Sequence, residues 1–232
     1  VFRRRLTARR SSGPLPPPRL VPSTQDGVAI VASRSYSYTM RAAAGRAPER
    51  PRAIVVSPFA VYPPKHGGAR RSAGLIDGLR DDFDIVLLSD EASLYNPLSF
   101  AHFEGLSGVE LVERPRVPDA SVDFGERVRR HCHAGLRNAL RGAITRHRPA
   151  VVHVEHAELA SLVAERAPGP RWVLGLHDAV HASDFAQAMD ARDFAGQVAR
   201  YDAVTVCSAE DAALVQHPRT VCVPNGTSLA LA

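Results

Sequence analysis

The chain has 232 residues, 45% of them apolar, which is enough for one sizeable hydrophobic core. No apolar run approaches the roughly 18 to 20 residues that a helix needs to cross a bilayer, so the sequence predicts no membrane-spanning helix. The net charge of +5 arises in residues 1–50, where ten arginines face two acidic residues. The remaining 182 residues carry 19 basic and 22 acidic side chains and are mildly acidic.

Residues 1–51 are rich in Arg, Pro and Ala and predict a disordered arm and linker, although residues 27–33 (GVAIVAS) fit a short strand. An arginine-rich arm can bind nucleic acid or anionic lipid. Lys65 is the only lysine of the chain, so the arginines are also typical of an arginine-favouring composition. We expect no nucleic-acid partner, and we keep a peripheral contact with the inner membrane face as a prediction.

From residue 52 to about residue 228, apolar strands alternate with amphipathic helices, which predicts an α/β domain with a doubly wound, mostly parallel sheet. The predicted strands are 53–57, 83–90, 108–115, 151–155, 172–178, 203–208 and 220–224. The predicted helices are 69–81, 123–147, 156–167, 184–201 and a short one that ends at 215. Such sheets bind ligands beyond the carboxyl ends of their strands, where the strand order reverses.

The loop after the first of these strands reads YPPKHGGARR (62–71) and leads into a helix. Its prolines end the strand, and Gly67 and Gly68 lack the Cβ that would keep a ligand from the backbone. The helix amino end and Arg71 add donors and positive charge, so the stretch predicts a site for a phosphate-bearing ligand. No Walker loop and no G-x-G-x-x-G fingerprint follows a strand, which disfavours ATP hydrolysis and NAD chemistry.

Other polar residues end later strands: Glu155, then His177 with Asp178. A histidine there can exchange a proton or bind a sugar or phosphate, although capping the next helix is the commoner role of a histidine in such a position. Asn225 and Gly226 form a sharp turn after the last strand.

Two further features are interpreted as structural. Asp90 and Glu91 are typical of solvated charges at a sheet edge. The sequence HCH at 131–133 is typical of a polar helix surface, because adjacent helical residues point in different directions. The three cysteines are odd in number and far apart, which favours a reducing, cytoplasmic location. We predict no metal site and no cofactor.

Five stretches in order, YPPKHGGARRSAGLIDGL, PAVVHVEH, LGLHD, YDAVTVCSAEDAAL and VPNG, together resemble the amino-terminal half of GT-B-fold glycosyltransferases, most closely glycosyltransferase family 4. The resemblance spans roughly residues 52–228 and implies a Rossmann-like domain. There are departures from the family pattern. Pro149-Ala150 stands where Pro-Asp is usual, and Ser228 stands where the closing motif usually has Asp.

The resemblance implies retaining sugar transfer from a nucleotide-diphosphate sugar, a substrate rather than a cofactor, to a sugar or lipid-linked acceptor. It places Gly67, Gly68 and Arg71 on the donor diphosphate, His177 on the strand-end histidine, and Asn225 and Gly226 on the turn toward a second domain. We predict that His177 and Asp178 are catalytic and that Glu155 binds substrate. The family's donor-binding domain has no counterpart in residues 1–232, so the chain is expected to be inactive alone.

Two alternatives stay open. One is a non-catalytic α/β binding module whose basic arm docks to a membrane or to nucleic acid. The other is a GT-B-fold sugar-nucleotide epimerase, which fits the motifs less well.

Overall fold

A computed structural model describes residues 35–39, 50–91, 95, 102–103, 105–114, 124–177 and 191–226. All of them belong to one compact unit, Ala32–Ala232. The predicted strand at 27–33 and the predicted catalytic residue Asp178 lie outside the described residues.

Eight strands, five α-helices and one 3₁₀ helix make up the described part of the chain. In chain order they are β1 (Ser35–Thr39), β2 (Arg52–Ser57), α1 (Gly67–Leu79), β3 (Asp84–Ser89), β4 (Gly108–Val112), α2 (Phe124–His131), α3 (Ala134–His147), β5 (Val151–Glu155), the 3₁₀ helix (Ala157–Glu165), β6 (Arg171–Gly175), α4 (Ala191–Val198), β7 (Ala203–Val206), α5 (Ala209–Leu214) and β8 (Thr220–Cys222).

The strands form one sheet in the order β1-β4-β3-β2-β5-β6-β7-β8. Seven of them, β2 to β8, run parallel, and only β1 is antiparallel, paired with β4. The predicted doubly wound, mostly parallel α/β fold is therefore confirmed. The order reverses between β2 and β5, so the loops that follow these two strands border the crevice in which such folds bind ligands.

Each face of the sheet has its own apolar core, which explains why the central strands are almost continuously apolar. On one face, Ile54, Val56, Val152 and Val154 pack with α3 and the 3₁₀ helix. On the other face, Ala53, Val55, Ile85 and Leu87 pack with residues of α1, among them Ala73 and Ile76. Trp172 is the largest fully buried side chain and belongs to the first core.

The structure differs from the sequence prediction in three elements. The single helix predicted at 123–147 is two helices, because the chain breaks at Cys132 and restarts at His133, whose Nδ1 accepts a hydrogen bond from Leu136 N at 3.3 Å and caps α3. The predicted helix 156–167 is a 3₁₀ helix at Ala157–Glu165. The strand β1 lies within the range 1–51 predicted as an arm, and its alternating sequence SYSYT was not interpreted as a strand.

Within the described residues, no helix has the length and apolar character that crossing a membrane requires.

Candidate functional site

The corner between β2 and α1 is organised around the ring of Phe59. The backbone oxygen of Phe59 accepts hydrogen bonds from Ser57 Oγ at 3.0 Å and Ser89 Oγ at 3.2 Å. These bonds connect the corner to the ends of two neighbouring parallel strands. A Cβ on Gly68 would lie only 2.9 Å from Cζ of this ring. The side chain that lies close to the backbone of Gly68 is therefore the ring of Phe59, in the place where the sequence predicted a ligand.

Gly67 has different surroundings, because a Cβ there would meet nothing within 4 Å and the residue is exposed. It is the first residue of α1, and His66 caps the helix by accepting a hydrogen bond at Nδ1 from Ala69 N at 3.3 Å. The first amides of a helix have no partner within the helix, and for Gly67 and Gly68 the described residues provide none. These two N–H groups and the helix dipole form a place where an anion can bind.

Beside this corner, Glu155 ends β5 with a carboxylate that is almost completely buried, at 2% exposure. Oε2 accepts hydrogen bonds from His177 Nε2 and, at 3.2 Å, from Ser72 Oγ of α1. His153 Nε2 lies 2.6 Å from Oε1, within the distance of an ion pair. Glu155 therefore holds His177 in place and has little surface left for a substrate.

The backbone supplies the space for this carboxylate through Gly175, the residue paired with Glu155 on the neighbouring strand β6. A Cβ on Gly175 would lie 2.6 Å from Glu155 Oε1 and 3.0 Å from His153 Nε2. Burial alone raises the pKa of Glu155, but His153 and His177 outweigh it, so the pKa lies well below its usual range. The group is a buried carboxylate that accepts a hydrogen bond from Nε2–H of His177, and in the neutral imidazole this leaves His177 Nδ1 as a hydrogen-bond acceptor.

His156 completes the cluster. Its ring centroid lies 3.7 Å from that of His177 and 4.8 Å from that of Phe59, and its Nε2 is buried without a hydrogen-bond partner among the described residues. Its backbone has φ 72° and ψ 146°, a conformation that costs a side-chain-bearing residue about 1–3 kcal/mol. Burial and the neighbouring His177 lower the pKa of His156 to about 3, so the ring is neutral near pH 7.

Arg71, predicted to bind donor phosphate, contacts the end of the described chain instead. Its Nη1 donates to Val223 O and to Asn225 Oδ1, both at 2.9 Å. Two of the predicted site residues, Arg71 and Asn225, are thus in direct contact. The guanidinium fastens the segment after β8 to the first turns of α1.

The predicted site residues therefore fall into two connected groups. Glu155 and His177 form a buried pair, and Arg71 and Asn225 form an exposed one, with Gly67 and Gly68 on the α1 turn that Arg71 follows. A Cβ on Gly226 would meet nothing within 4 Å.

Sequence reasoning missed Phe59, Ser72 and Gly175. The prolines and glycines drew attention to 62–71, while Phe59 precedes that motif by three residues. A serine in mid-helix carries no chemical signal of its own. For Gly175, a signal was available, because a glycine inside a strand indicates close approach by another group.

No family model matches the chain, and no curated protein matches it. Solved structures with a similar fold include sucrose-phosphate synthase from Thermosynechococcus elongatus, at 12% sequence identity and a TM-score of 0.53, over 77% of this chain and 49% of that one. The catalytic domain of starch synthase IV from Arabidopsis thaliana, bound to ADP and acarbose, matches at 11% sequence identity and a TM-score of 0.51, over 77% of this chain and 52% of that one. A UDP-glucosyltransferase from Polygonum tinctorium capable of glucosylating indoxyl matches at 13% sequence identity and a TM-score of 0.52, over 78% of this chain and 54% of that one.

At these identities the likeness concerns the fold alone, and the fold is the GT-B type that the sequence motifs predicted. The chain spans about half the length of the solved chains it resembles.

Proposed function

We propose that this chain is the acceptor-side half of a glycosyltransferase, similar to family 4, that moves a sugar with retention from a nucleotide-diphosphate sugar to an acceptor hydroxyl. The observation that carries the proposal is the pairing of Glu155 with His177 beside the open amides of Gly67 and Gly68, at the reversal of the strand order. A fold shared with three glycosyltransferases supports it.

In this proposal the amides of Gly67 and Gly68 and the α1 dipole stabilise the negative charge that develops on the departing diphosphate. Neutral donors of this kind are already fixed in place, so they stabilise charge without having to reorganise during transfer.

His177 contributes Nδ1, which accepts a hydrogen bond from a hydroxyl of the bound sugar. Glu155 acts on substrate only through His177 and is therefore a positioning residue rather than a substrate ligand. Asp178, the next residue along the chain, is proposed as the second group near the transferred sugar. No metal or cofactor has a role in the proposal.

Arg71 and Asn225 fix the segment that follows β8. We propose that this segment leads to a second, donor-binding domain and that residues 1–232 do not turn over alone. A bisubstrate reaction needs both reactants in one geometry, and one wall of a crevice cannot hold both.

Transfer assays with the product of the complete gene test the proposal, using UDP-glucose, ADP-glucose and GDP-mannose with a panel of sugar and lipid-linked acceptors. We expect transfer, an α-anomer from an α-linked donor, and a loss of about 10²-fold in kcat for His177→Ala. His217→Gln is the control, because His217 lies at the opposite edge of the sheet, bonded to Tyr201 O. Absence of transfer from every donor, or full activity in His177→Ala, contradicts the proposal.

A further inference from the structure

A second cluster of charged side chains lies at the carboxyl edge of the sheet, made by Asp90 and Glu91 after β3, Arg114 after β4, and His131 at the end of α2. The carboxyl ends of β3 and β4 are adjacent because these strands pair in parallel. From the sequence, Asp90 and Glu91 are expected to be solvated charges and His131 to be part of a polar helix surface. The structure corrects both interpretations, since Asp90 is 0% exposed and His131 bonds to it.

The hydrogen bonds of the cluster define the tautomer of His131. Its Nδ1 lies 2.9 Å from Asp90 Oδ2, so Nδ1 carries the proton and donates a hydrogen bond to the carboxylate. Nε2 of the neutral ring is then an acceptor. Arg114 Nη1 lies 3.1 Å from Nδ1 and 3.2 Å from Nε2, so it lies over the face of the ring and leaves the in-plane lone pair of Nε2 free of it. Arg114 Nη2 donates to Glu91 Oε1 at 2.7 Å.

One atom of the cluster has no partner in the described part of the chain. Asp90 Oδ1 is buried and makes no hydrogen bond there. A buried acceptor left unpaired costs about 1–3 kcal/mol, so an atom of this kind requires an explanation. Burial raises the pKa of Asp90 against the opposing effects of His131 and Arg114.

A comparison within the same sheet makes the unpaired oxygen informative. Glu110 of β4 has a similar set of partners: His147 Nε2 at 3.0 Å, and Arg146 Nη2 at 2.7 Å and Nε at 3.3 Å. There both carboxylate oxygens are bonded, as expected of a purely structural network. His147 ends α3 just before β5, at the opposite, amino edge of the sheet.

The Asp90 cluster is also connected to the site described above. Glu91 Oε2 accepts a hydrogen bond from Ala60 N at 2.9 Å, next to Phe59, and Ser89 Oγ bonds Phe59 O. The ring of Phe59 in turn contacts His156 and His177. The two groups of side chains therefore border the same crevice, on either side of Phe59.

We propose that Asp90, Glu91, Arg114 and His131 form a binding site for a neutral, polyhydroxylated ligand, namely the sugar portion of the acceptor. A hydroxyl both donates and accepts, and the cluster offers both complements: Nε2 of His131 and Glu91 as acceptors, Arg114 as donor. An anion would be repelled by the two carboxylates, and a cation would be repelled by the guanidinium, so a neutral ligand suits the cluster best. The side chains of His131, Arg114 and Glu91 are 16%, 23% and 13% exposed, so a ligand can reach them at the crevice.

The assignment as acceptor site rests on the proposed function, whereas the binding of a neutral sugar does not. ¹⁵N-histidine spectra of the 232-residue chain, assigned with His131→Gln, test the binding directly. The probe is methyl α-D-glucopyranoside, with sodium phosphate and ammonium chloride titrated separately. We expect the Nδ1–H tautomer of His131 and a saturable shift of its Nε2 with the glucoside alone.

Asp90→Asn keeps an oxygen that can accept from His131 Nδ1 but loses the charge, and we expect it to weaken glucoside binding at least 10-fold. Arg114→Lys serves the same purpose if Asp90→Asn does not fold, and His147→Gln is the matched control that leaves binding unchanged. The Nε2–H tautomer, a shift with phosphate or ammonium instead, or no response of His131 to the glucoside overturns the proposal.

Transfer kinetics with the complete gene product separate this proposal from the general one. We expect His131→Gln to raise the acceptor KM about 10-fold and to leave the donor KM within about twofold. Equal rises in both KM values indicate a structural role and overturn the acceptor assignment. Failure of the proposed function itself is visible as absence of transfer in the wild type, with glucoside binding at His131 intact.

Discussion

The carboxylate of Glu155 lies directly over the backbone of Gly175, so closely that a Cβ on the glycine would approach Oε1 to 2.6 Å. Two adjacent parallel strands thus cooperate: one supplies the buried acid and the other supplies the space for it. His177, two residues beyond Gly175, then receives a fixed partner for its Nε2. The position of the proposed sugar-binding histidine depends on a residue with no side chain.

This relationship predicts that Gly175→Ala destabilises the fold by about 1–3 kcal/mol, because an added methyl group in a filled core displaces its neighbours. Chemical denaturation measures the change. Gly74→Ala is the control: Gly74 is an exposed interior residue of α1 with nothing within 4 Å of a built Cβ, and there alanine is expected to stabilise by about 0.5–1 kcal/mol. Equal stability of Gly175→Ala and the wild type would mean that the carboxylate is not fixed over the glycine.

The two glycines of the corner are predicted to behave differently. Gly68→Ala displaces the ring of Phe59, whose Cζ would lie 2.9 Å from the new methyl group, and is expected to cost about 1–2 kcal/mol. Gly67→Ala meets no atom and is expected to leave the free energy of unfolding within about 0.5 kcal/mol of the wild type. Thermal and urea unfolding distinguish the pair. The reverse order of the two stabilities would show that Phe59 does not fill the space beside Gly68.

The contact between Arg71 and the chain after β8 is predicted to control how firmly that segment is held. Arg71→Ala removes the bonds to Val223 O and Asn225 Oδ1, and amide exchange at Cys222 and Val223 is expected to rise several-fold, as for the loss of about 1 kcal/mol. Asn225→Ala removes one of the two bonds and has a smaller effect. Arg70→Ala is the control, because Arg70 is the exposed neighbour of Arg71. Unchanged exchange in Arg71→Ala would exclude the contact in solution.

Stability is predicted to fall as the pH falls from about 6.5 to about 4. Burial, with His131 and Arg114, lowers the pKa of His133 from 6.5 to about 4, so in this range the unfolded chain binds a proton that the folded chain does not. His156, with a pKa lowered to about 3, acts in the same direction, whereas the raised pKa of Asp90 opposes it at the acidic end.

The contribution of His133 is smaller than its pKa shift alone would give, because the ring is only partly buried and solvent screens its charge. His133→Asn keeps a side chain that can cap α3 and removes the titration, so its unfolding free energy should depend less on pH over this range. Parallel pH profiles of the variant and the wild type would contradict the assignment of His133 as a buried neutral cap.

Much of the fold could be predicted from the sequence, because a parallel sheet that is buried on both faces requires apolar strands. Such apolar runs occur at 53–57, 83–90 and 151–155. The prediction of one continuous helix at 123–147 was wrong. The apolar periodicity continues across the break between the two helices, and only the cap at His133 marks that break. The strand β1 escaped notice because its sequence, SYSYT, is half polar.

The candidate site could be proposed from residue chemistry alone at Gly67, Gly68 and His177, whose roles in binding stay predictions. It was not predictable where the partner is distant in sequence. Asp90 and His131 are 41 residues apart, and nothing in either sequence context indicates that the fold brings them within 2.9 Å. A contact of this kind is a property of topology, since it depends on the end of α2 lying beside the end of β3.

The amides of Gly67 and Gly68 provide the most direct test of the central claim, that this corner receives the diphosphate of a sugar donor. ¹⁵N-glycine spectra of the complete gene product, assigned with Gly67→Ala and Gly68→Ala, are recorded during titration with UDP-glucose and ADP-glucose. The account predicts that the amides of Gly67 and Gly68 shift, with Gly67→Ala weakening binding while leaving stability unchanged. Saturable binding of either donor that leaves both amides unmoved would contradict it.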